Sequence, residues 1–487
     1  MRITSNDITE YFSPAVAEIS PALIARQRWR LDANFYILFS KTTDVLTKNI
    51  ETKPLSECCN NIYEVPPFVH IYVEKEHGIP FYTSSALFES DLRPSHYLSL
   101  STKDLNKYII KKGQILMARS GDVSGGILGT ITMAGDKLDG VTTSDHVIRF
   151  VPNSEIIKPG YLCACLKSSI CRDALVMHAS GAVIPAIRPE ALQSIRIPLL
   201  SRSIQEKIHI NIMKALKNRE EVIDILKEAE KMLYLVNGLI ELQNKGILTF
   251  DDEHEIEFSI INSKEIIQSH GQSSEFRLDA RYYNPMTKLV LKNLNSCKSN
   301  LKPLSDLSKK VFMCERFART YVDKENGVPF LSGKNIIQIR PVGLKYVSKT
   351  ETSKLNELRL KKGWILITRS GTIGRICLVW SNFEGWCATE DIIRLIPDYD
   401  MIDGGYLLAF ISSMYGNEQI LSYRHGSVVE HITPKQIQNI FVPIPFSDSQ
   451  KLIGDKVRSA YEKRAEAIRL EDEAQEILMK EFGVNKI

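Results

Sequence analysis

The chain has 487 residues, of which 44% are hydrophobic and 25% are charged. These proportions are typical of folded proteins, and the length suits about two to four domains, so a largely disordered chain is not expected. The 62 Lys and Arg residues only slightly outnumber the 58 Asp and Glu residues, which gives a formal net charge of +4. Bulk charge therefore gives no argument for nucleic-acid binding, which would have to depend on local basic patches.

The nine Cys residues argue against a disulfide framework or a zinc site. Cys58 and Cys59 are adjacent, Cys163 and Cys165 are separated by one residue, and no Cys-x-x-Cys pair occurs. Buried free thiols in a reducing cytoplasm are the expected state. The N-terminal stretch lacks an apolar signal core, and no apolar run approaches the ~18 residues of a membrane span, so we expect a cytoplasmic protein without a membrane partner.

A motif of the form Lys-Lys-Gly-x-Ile-Leu-x-x-Arg-Ser-Gly occurs twice, at 111–121 and at 361–371. In each copy a basic turn precedes a short apolar run, which predicts a buried strand. The strand would hold Arg and Ser at the mouth of a loop, and the final Gly permits the positive φ of a tight exit. A duplicated strand and turn without chemistry is the alternative interpretation.

The repeat extends along most of the chain. Three further pairs of segments are 30–33 with 277–280, 78–81 with 327–330, and 148–152 with 393–397. From Gly160 with Gly405 to Glu228 with Glu473 the offset stays at 245. A match that keeps its register over ~70 residues indicates that a whole domain has been duplicated.

Each half contains short β-like runs, then a helix-length apolar stretch, then a Gly-containing loop and a short strand. The first half predicts strands over 115–117, 127–133, 147–151 and 195–198 with a helix over 161–177. The second half predicts strands over 365–367, 375–380 and 392–396 with a helix over 406–421. This order of elements predicts an α+β domain that occurs twice.

Each half is followed by a charged stretch with heptad spacing, which predicts a long helix. The predicted seam residues are Ile208, Ile212, Val222, Leu226 and Leu233 in the first helix and Val457 and Leu478 in the second. Arg464 and Glu471 interrupt the second seam. Each helix could lie on its own domain, but two such helices in one chain favour packing on each other.

The sequence therefore divides into five predicted segments. They are a first domain over 1–200, a long helix over 201–245, a connector with the start of the second repeat over 246–274, a second domain over 275–446, and a second long helix over 447–487.

No catalytic set, cofactor motif or metal site is found. The phosphate-binding patterns GxxxxGK[ST] and GxGxxG are absent. Asn284-Pro285-Met286 lacks the second Pro and the aromatic residue of an amino-methyltransferase motif, and the ten His residues show no HExxH spacing. An enzyme that acts alone is therefore not expected.

The order of these pieces resembles one family, the specificity (S) subunits of type I restriction-modification systems. The resemblance covers most of the chain. In each half it consists of the strand and loop ending in Arg-Ser-Gly, a helix beginning with Gly-Tyr-Leu, a loop, helix and strand ending in Ile-Pro or Val-Pro, and a long helix that opens at Gln205 or Gln450. Family members often carry Gln in the loops that here read Gly181-Ala182-Val183-Ile184 and Gly426-Ser427-Val428-Val429, which places base or backbone contacts from these loops in question.

The resemblance implies two tandem target-recognition domains, with the two long helices paired as an antiparallel coiled coil. Each domain would read one half of a split sequence in double-stranded DNA, and the helices would set the spacer. A seam of ~33 residues at 1.5 Å per residue is roughly 50 Å, or about 15 base pairs of B-DNA.

The resemblance also implies partners. Two copies of a methyltransferase subunit, which uses S-adenosylmethionine to methylate adenine, would bind the helices and their seam residues. Restriction-competent assemblies would add a helicase-nuclease subunit. The chain itself would hold no cofactor and catalyse no reaction.

The DNA-contacting residues expected from this resemblance fall into three groups. Arg119 and Arg369 would contact phosphate or a guanine edge, with Ser120 and Ser370 donating to phosphate. The basic turns would add Lys111, Lys112, Lys361 and Lys362. Base readout is expected from Ser84, Ser85, Lys334 and Asn335 in the loops after Phe81 and Phe330, for which a solvated polar loop is the alternative.

Two other functions fit the same residues. The chain could be the specificity subunit of another methylation-based phage-defence system. It could also be a helical protein-assembly scaffold without DNA readout.

Overall fold

The computed structural model describes residues 35, 50–122, 126–181, 183–241 and 282–483. The predicted connector and the repeated segments around Arg30 and Arg277 lie outside these residues. The chain divides into two compact units, one of residues 1–220 with 466–487 and one of residues 221–465. Each unit therefore contains one α+β domain and part of each long helix, whereas the sequence-based division kept the helices separate.

The elements of the first domain follow the predicted order. Its strands are β1 (Thr52–Pro54), β2 (Cys59–Glu64), β3 (Gly78–Tyr82), β4 (His96–Ser99), β5 (Ile115–Ala118), β6 (Ile131–Met133), β7 (Thr142–Thr143), β8 (Val147–Pro152) and β9 (Arg196–Pro198). Its helices are α1 (Leu55–Cys58), α2 (Pro159–Lys167), α3 (Ser169–Val176) and α4 (Pro189–Leu192), and the long helix α5 (Arg202–Asn237) follows.

The second domain repeats this order. Its strands are β10 (Asn300–Pro303), β11 (Ser308–Phe312), β12 (Tyr321–Val322), β13 (Gly327–Leu331), β14 (Lys345–Ser348), β15 (Ile365–Thr368), β16 (Ile376–Leu378), β17 (Cys387–Ala388), β18 (Ile392–Pro397) and β19 (Phe441–Ile444). Its helices are α6 (Pro285–Asn295), α7 (Leu355–Leu358), α8 (Gly404–Ser412), α9 (Met414–Ser422) and α10 (Pro434–Gln438), and the long helix α11 (Ser447–Glu481) follows.

The larger sheet has the same strand order in both domains, and the smaller sheet has one additional edge strand, β12, in the second. A four-stranded antiparallel sheet has the order β2-β8-β5-β6 in the first and β11-β18-β15-β16 in the second. A smaller sheet, β4-β3-β7 or β12-β14-β13-β17, pairs its last two strands in parallel. The predicted duplication of an α+β domain is confirmed by this shared strand order.

A fully buried arginine on the central strand of each larger sheet holds a neighbouring segment in place. Arg149 on β8 donates from Nη2 to the carbonyl of Tyr108 at 2.6 Å and from Nη1 to that of Ile109 at 2.8 Å. Arg394 on β18 donates to the carbonyl of Ala388 at 2.5 Å and to that of Ile392 at 2.6 Å. Burial lowers the pKa of both guanidinium groups. These carbonyls satisfy the terminal Nη donors, while Nε of each arginine is buried without a hydrogen-bond partner among the described residues.

Each predicted domain helix is in fact two helices. The break falls at Ser168 between α2 and α3, and at Ser413 between α8 and α9. The side-chain oxygen of Ser168 accepts a hydrogen bond from the backbone N–H of Cys171 at 3.2 Å, and Ser413 accepts one from Gly416 at 3.5 Å. A serine that caps a new helix therefore ends the apolar pattern that predicted one continuous helix.

The long helices pair antiparallel within each unit. In the second unit, Lys463 on α11 is 2.6 Å from Glu221 on α5, and Lys456 is 2.9 Å from Glu228. In the first unit, Ala215 on α5 packs with Ala467 and Leu470 on α11. The predicted antiparallel coiled coil is thus confirmed. Separately, no described helix is long and apolar enough to span a membrane.

The seam residues serve this packing within the chain. Six of them are buried, with relative exposures of at most 2%: Ile208, Ile212, Val222, Leu233, Val457 and Leu478. Leu226 is half-buried against the core of the second unit. The six buried side chains are covered within the chain, so the structure leaves them little surface for a partner subunit, and partner binding by the seam stays a prediction.

The residue Glu471, which interrupts the predicted seam, is the centre of a buried ion cluster in the first unit. Its carboxylate is 2.6 Å from Lys167 Nζ and 2.6 Å from Arg219 Nη2, and its side chain is 5% exposed. With the offset of 245, the equivalent positions in the second unit hold Leu226 and Ser412 in place of Glu471 and Lys167. The two units therefore fill equivalent positions differently, with charged side chains in the first unit and with an apolar residue and a serine in the second.

All nine Cys residues are free thiols, and eight of them are buried. Burial raises the pKa of Cys163 and of Cys171 to about 11. The predicted buried free thiols are confirmed, and these two sulfur atoms stay protonated at neutral pH.

Removing the Glu471 carboxylate should destabilise the first unit. Glu471→Ala leaves Lys167 and Arg219 without their buried counter-charge, which costs about 3–5 kcal/mol in the free energy of unfolding. Urea-induced unfolding measures this loss. Glu473→Ala, which removes a partly exposed acid two residues away that pairs with exposed Arg469, is the control and should leave stability nearly unchanged. Equal stability of both variants would show that the cluster carries no such energy.

Candidate nucleic-acid interface

The repeated motif is a strand with two different ends. β5 lies between β8 and β6 in the sheet, and all four of its residues are buried. The basic turn precedes the strand and the Arg-Ser-Gly loop follows it, so the two are separated by a four-residue strand, about 13 Å of extended chain. β15 separates the equivalent segments of the second domain in the same way.

The basic turns lie beside the long helices. Lys112 Nζ is 2.5 Å from Asp136, whose carboxylate raises the pKa of that lysine. The next residue, Lys137, donates its backbone N–H to Glu220 of α5 at 2.7 Å. In the second domain, Lys362 Nζ lies 4.3 Å above the ring of Trp380, which contacts Tyr461 of α11.

This position changes the expectation for the lysines. Lys111 and Lys112, with Lys361 and Lys362, were expected on one DNA-facing surface with the arginines. The structure does not bring them together, because a buried strand places each lysine pair at the opposite end from Arg119 or Arg369. A DNA contact by these lysines on the same surface as the arginines is therefore not supported.

The loop after β5 is held by contacts within its own unit. Arg119 forms an ion pair with Glu64 at the end of β2, and its side chain is 21% exposed. Its backbone N–H donates to the carbonyl of His146 at 3.0 Å. The hydroxyl of Ser120 lies 3.0 Å from Nδ1 of the same histidine.

The equivalent loop after β15 has the same architecture. Arg369 Nη1 is 3.4 Å from Asp391, and its Nε donates to the carbonyl of Ile432 at 3.2 Å. Its backbone N–H donates to the carbonyl of Asp391 at 3.0 Å, and the backbone of Ser370 forms a β-bridge with that of His431, as Ser120 does with Ala186. Each arginine is thus oriented by an acidic residue and keeps about a fifth of its side chain exposed.

An exposed apolar tip is attached to each Arg-Ser-Gly loop. Val183 is 91% exposed, and the backbone after it pairs with the loop through Ile187 N–H to Arg119 carbonyl at 2.9 Å. Val428 is 93% exposed, and Ile432 N–H donates to the Arg369 carbonyl at 3.1 Å. These are the loops in which the sequence shows apolar residues, and the structure presents them at the surface.

The polar loops after β3 and β13 differ from the expectation at one residue. Ser85 is exposed and Ser84 is partly exposed, and Lys334 is exposed. Asn335 is only 2% exposed, and its amide accepts from Ser332 N–H at 3.0 Å and donates to the Val342 carbonyl at 3.0 Å. The expected base contact by Asn335 is therefore wrong, since its side chain closes the loop.

The sequence interpretation missed a group of rings and cations near each Arg-Ser-Gly loop. In the first unit the group consists of Phe68, His70, Tyr72, Phe81 and His96. His70 lies 4.5 Å from the ring of Phe68 and 4.9 Å from that of Phe81, measured between centroids. His96 stacks on Tyr72 at 4.1 Å.

The second unit carries the same group at an offset of 249, formed by Phe317, Arg319, Tyr321, Phe330 and Lys345. Arg319 lies 5.7 Å from the ring of Phe317 and 5.4 Å from that of Phe330. Lys345 Nζ lies 4.7 Å above the ring of Tyr321. We call these two groups the ring-cation surfaces. The constant offset was visible in the sequence. No local motif marked the group, however, because its five positions are spread over two strands and the segment before them.

Comparison with known proteins identifies the domain. The model of the family described as type I restriction modification DNA specificity domain matches residues 47–231 and 298–472, which together exceed half of the chain. A search of curated proteins found no match.

Solved structures also match the chain over most of its length. They include the HsdS subunit from Thermoanaerobacter tengcongensis, 17% identical over 90% of this chain and 98% of that chain with a TM-score of 0.28. They also include the type I restriction-modification S subunit from M. genitalium, 13% identical over 90% and 96% with a TM-score of 0.27.

The buried position of Asn335 predicts that its loss affects stability. Asn335→Ala removes hydrogen bonds that the loop cannot replace with water, which should lower the free energy of unfolding by about 1–3 kcal/mol. Thermal or urea unfolding measures the change. Lys334→Ala is the matched control, because the adjacent exposed lysine should be replaceable without loss. A stable Asn335→Ala protein would contradict the structural role.

Proposed function

Because the chain belongs to the type I restriction-modification DNA specificity family and carries its domain twice, we propose that each unit reads one half of a bipartite sequence in double-stranded DNA. One observation supports this division above all others. Both units present the same constellation, an Arg-Ser-Gly loop with an exposed apolar tip and a ring-cation surface, on the same strand framework. The side chains in that constellation differ, as the reading of two different half-sites requires.

The constellation has the chemistry of a duplex contact. Arginine binds phosphate or the O6 and N7 edge of guanine, and serine donates to phosphate. Val183 and Val428 are apolar side chains that could contact a thymine methyl group. The acidic partners Glu64 and Asp391 hold each guanidinium in one orientation before DNA arrives, which reduces the entropy lost on binding.

The long helices would set the distance between the two half-sites. α5 has 36 residues, which at 1.5 Å per residue is a rod of about 54 Å. Because its apolar seam is buried by pairing with α11, a partner subunit would contact the outer faces of the helices. We propose that this partner is a methyltransferase subunit in two copies, that it binds S-adenosylmethionine, and that a helicase-nuclease subunit joins in restriction-competent assemblies. The specificity chain would itself be non-catalytic.

A methylation map of a host genome with and without this chain tests the proposed function. Expression together with its methyltransferase subunit should add methylation at one motif that consists of two short sequences and an unread spacer. Methylation of the same motif in the absence of the chain would contradict the proposal. DNA binding by the complex that does not weaken with salt would also contradict it.

Replacing one loop arginine should weaken the reading of one half-site only. Arg119→Ala removes the proposed contact and leaves Glu64 unpaired near DNA, so affinity should fall by about 10- to 100-fold for one half-site. Competition binding with duplexes scrambled in either half measures this. Arg369→Ala should affect the other half.

Lys111→Ala and Lys361→Ala are the matched controls, because these lysines lie at the opposite ends of the same strands. The controls should keep wild-type discrimination at both half-sites. An equal loss at both half-sites in Arg119→Ala would contradict the assignment of one unit to each half.

Shortening both helices by one heptad should shorten the spacer. Deleting 222–228 with the facing 456–462 removes about 10 Å of paired helix, which corresponds to about three base pairs. The methylation map should then show both half-sites unchanged with a spacer about three base pairs shorter. A deletion on α5 alone breaks the pairing and serves as the comparison. An unchanged spacer in the double deletion would contradict the proposal that the paired helices set the spacer length.

A further inference from the structure

The two ring-cation surfaces differ in one chemical property. In the second unit the two cationic positions hold Arg319 and Lys345, a guanidinium and an ammonium group, neither of which is a residue type that titrates near neutral pH. In the first unit the equivalent positions hold His70 and His96. The aromatic partners are unchanged in type at three of three positions, since Phe68, Tyr72 and Phe81 match Phe317, Tyr321 and Phe330.

Each surface is continuous with the Arg-Ser-Gly loop of its own unit. In the first unit the link is the two-residue segment Asp145-His146, which lies between β7 and β8. His146 contacts both Arg119 and Ser120, and Asp145 acts electrostatically on His70. In the second unit Glu390 forms an ion pair with Arg319, and the next residue, Asp391, pairs with Arg369.

The outer rings of each surface are accessible to a large ligand, while His70 and His96 are partly buried and Nε2 of His70 is itself a buried atom. Tyr72 is 37% exposed and Tyr321 is 40% exposed, and beside His70 the side chains of Val69 and Ile71 are 78% and 51% exposed. Rings with adjacent cations on an exposed surface suit nucleic acid, because the cations neutralise phosphate while the rings contact sugars and bases. The nearby arginine loops favour DNA over a protein partner as the occupant.

We propose that each ring-cation surface contacts the DNA backbone, and that His70 and His96 make this contact proton-dependent in the first unit while Arg319 and Lys345 keep it independent of pH in the second. This inference rests on the proposed function. It adds that the two half-sites are held with different pH dependence by one protein.

The groups around the histidines determine the direction of the effect. Burial among the rings lowers the pKa of His70, which the Asp145 carboxylate partly opposes and His146 reinforces. Burial also lowers the pKa of His96, with a contribution from His70. The hydroxyl of Tyr72 lies 3.3 Å from Nδ1 of His70. Both imidazoles are therefore mostly neutral in the free protein at neutral pH, and neither then attracts phosphate.

DNA reverses this balance. A phosphate beside an imidazole favours its protonated form, so the bound protein takes up protons that the free protein lacks. Affinity for the half-site of the first unit should therefore rise as the pH falls, through the interval between the pKa in the bound protein and the lower pKa in the free protein. If DNA raises the pKa of one histidine by about one unit, affinity rises by about tenfold for that histidine.

The wild-type complex with its methyltransferase subunits provides the first test. Its affinity is measured from about pH 8 to about pH 5.5 for two duplexes, each with one half-site scrambled. The duplex that retains the half-site of the first unit should gain affinity as the pH falls, and the other should not. For the first duplex the slope of log affinity against log salt should steepen by about 0.9 for each histidine that gains a phosphate.

Exchanging the cations between units provides the second test. His70→Arg with His96→Lys installs the residues of the second unit and should abolish the pH dependence while keeping high affinity at pH 8. Arg319→His with Lys345→His should create pH dependence at the other half-site. His77→Arg, which adds a charge at an exposed histidine of the first unit outside the surface, is the control and should leave the pH dependence as in wild type.

The outcomes separate this inference from the proposed function. Absence of sequence-specific binding by the wild-type complex at every pH would overturn the proposed function itself. Specific binding with equal pH dependence at both half-sites, or with none, would overturn only the inference. Persistence of the pH dependence in the His70→Arg, His96→Lys protein would overturn it as well. Unchanged binding of that variant to the other half-site shows that the protein is folded.

Discussion

The pairing of one short buried strand with its neighbour determines where each functional group lies. β5 is fixed against β8, and β15 against β18, by antiparallel hydrogen bonds and complete burial. Arg149 and Arg394 tie the adjoining segments to the same central strands. Because a strand is extended, its two ends have different neighbours. The lysine turn lies beside the long helices. The Arg-Ser-Gly loop contacts the segment Asp145-His146 or Glu390-Asp391 and carries the apolar tip.

Duplication preserved this framework while the side chains on it diverged. The larger sheets keep their strand order, the domain helices break at an equivalent serine, and the arginine loop is held by an equivalent backbone contact. The side chains that differ include some at the surface and some at the helix pairing. His70 and Arg319 occupy one equivalent site, and Glu471 and Leu226 another. A protein that reads an asymmetric target needs such a constant framework with two sets of contacts.

Much of the fold could be predicted because it depends on periodic burial. The apolar runs at β5, β8 and their counterparts, and the heptad spacing of α5 and α11, are recorded directly in the order of residues. The end of α5 was missed, because the predicted helix ran to residue 245, whereas Gly238 adopts a φ of +65° and ends the helix at Asn237. The division of α2 from α3 was missed because Ser168 sits in an apolar pattern that continues through it.

The site was less accessible to sequence reasoning, because surface function depends on which side chains meet in space. Arg119 and Ser120 were recognised from their repetition, and the structure places them together. Lys112 was grouped with them through nearness in sequence, although a buried strand separates them. Asn335 looked available in a polar loop, but its amide is used within the loop. His70 and His96 gave no motif, since their relation arises from the pairing of β3 with β4 and the packing of the preceding segment.

Photocrosslinking tests most directly whether the Arg-Ser-Gly end of each unit faces DNA. The complex would be bound to its bipartite target carrying a photoreactive base in one half-site at a time, and the crosslinked peptides would be identified by mass spectrometry. We expect one half-site to crosslink to peptides from 66–72, 119–121 or 144–146, and the other to peptides from 315–321, 369–371 or 389–391. Crosslinks to the lysine turns at 111–113 and 361–363 would contradict the proposal that the Arg-Ser-Gly end of each unit faces DNA. Crosslinks to one unit from both half-sites would contradict the assignment of one unit to each half-site.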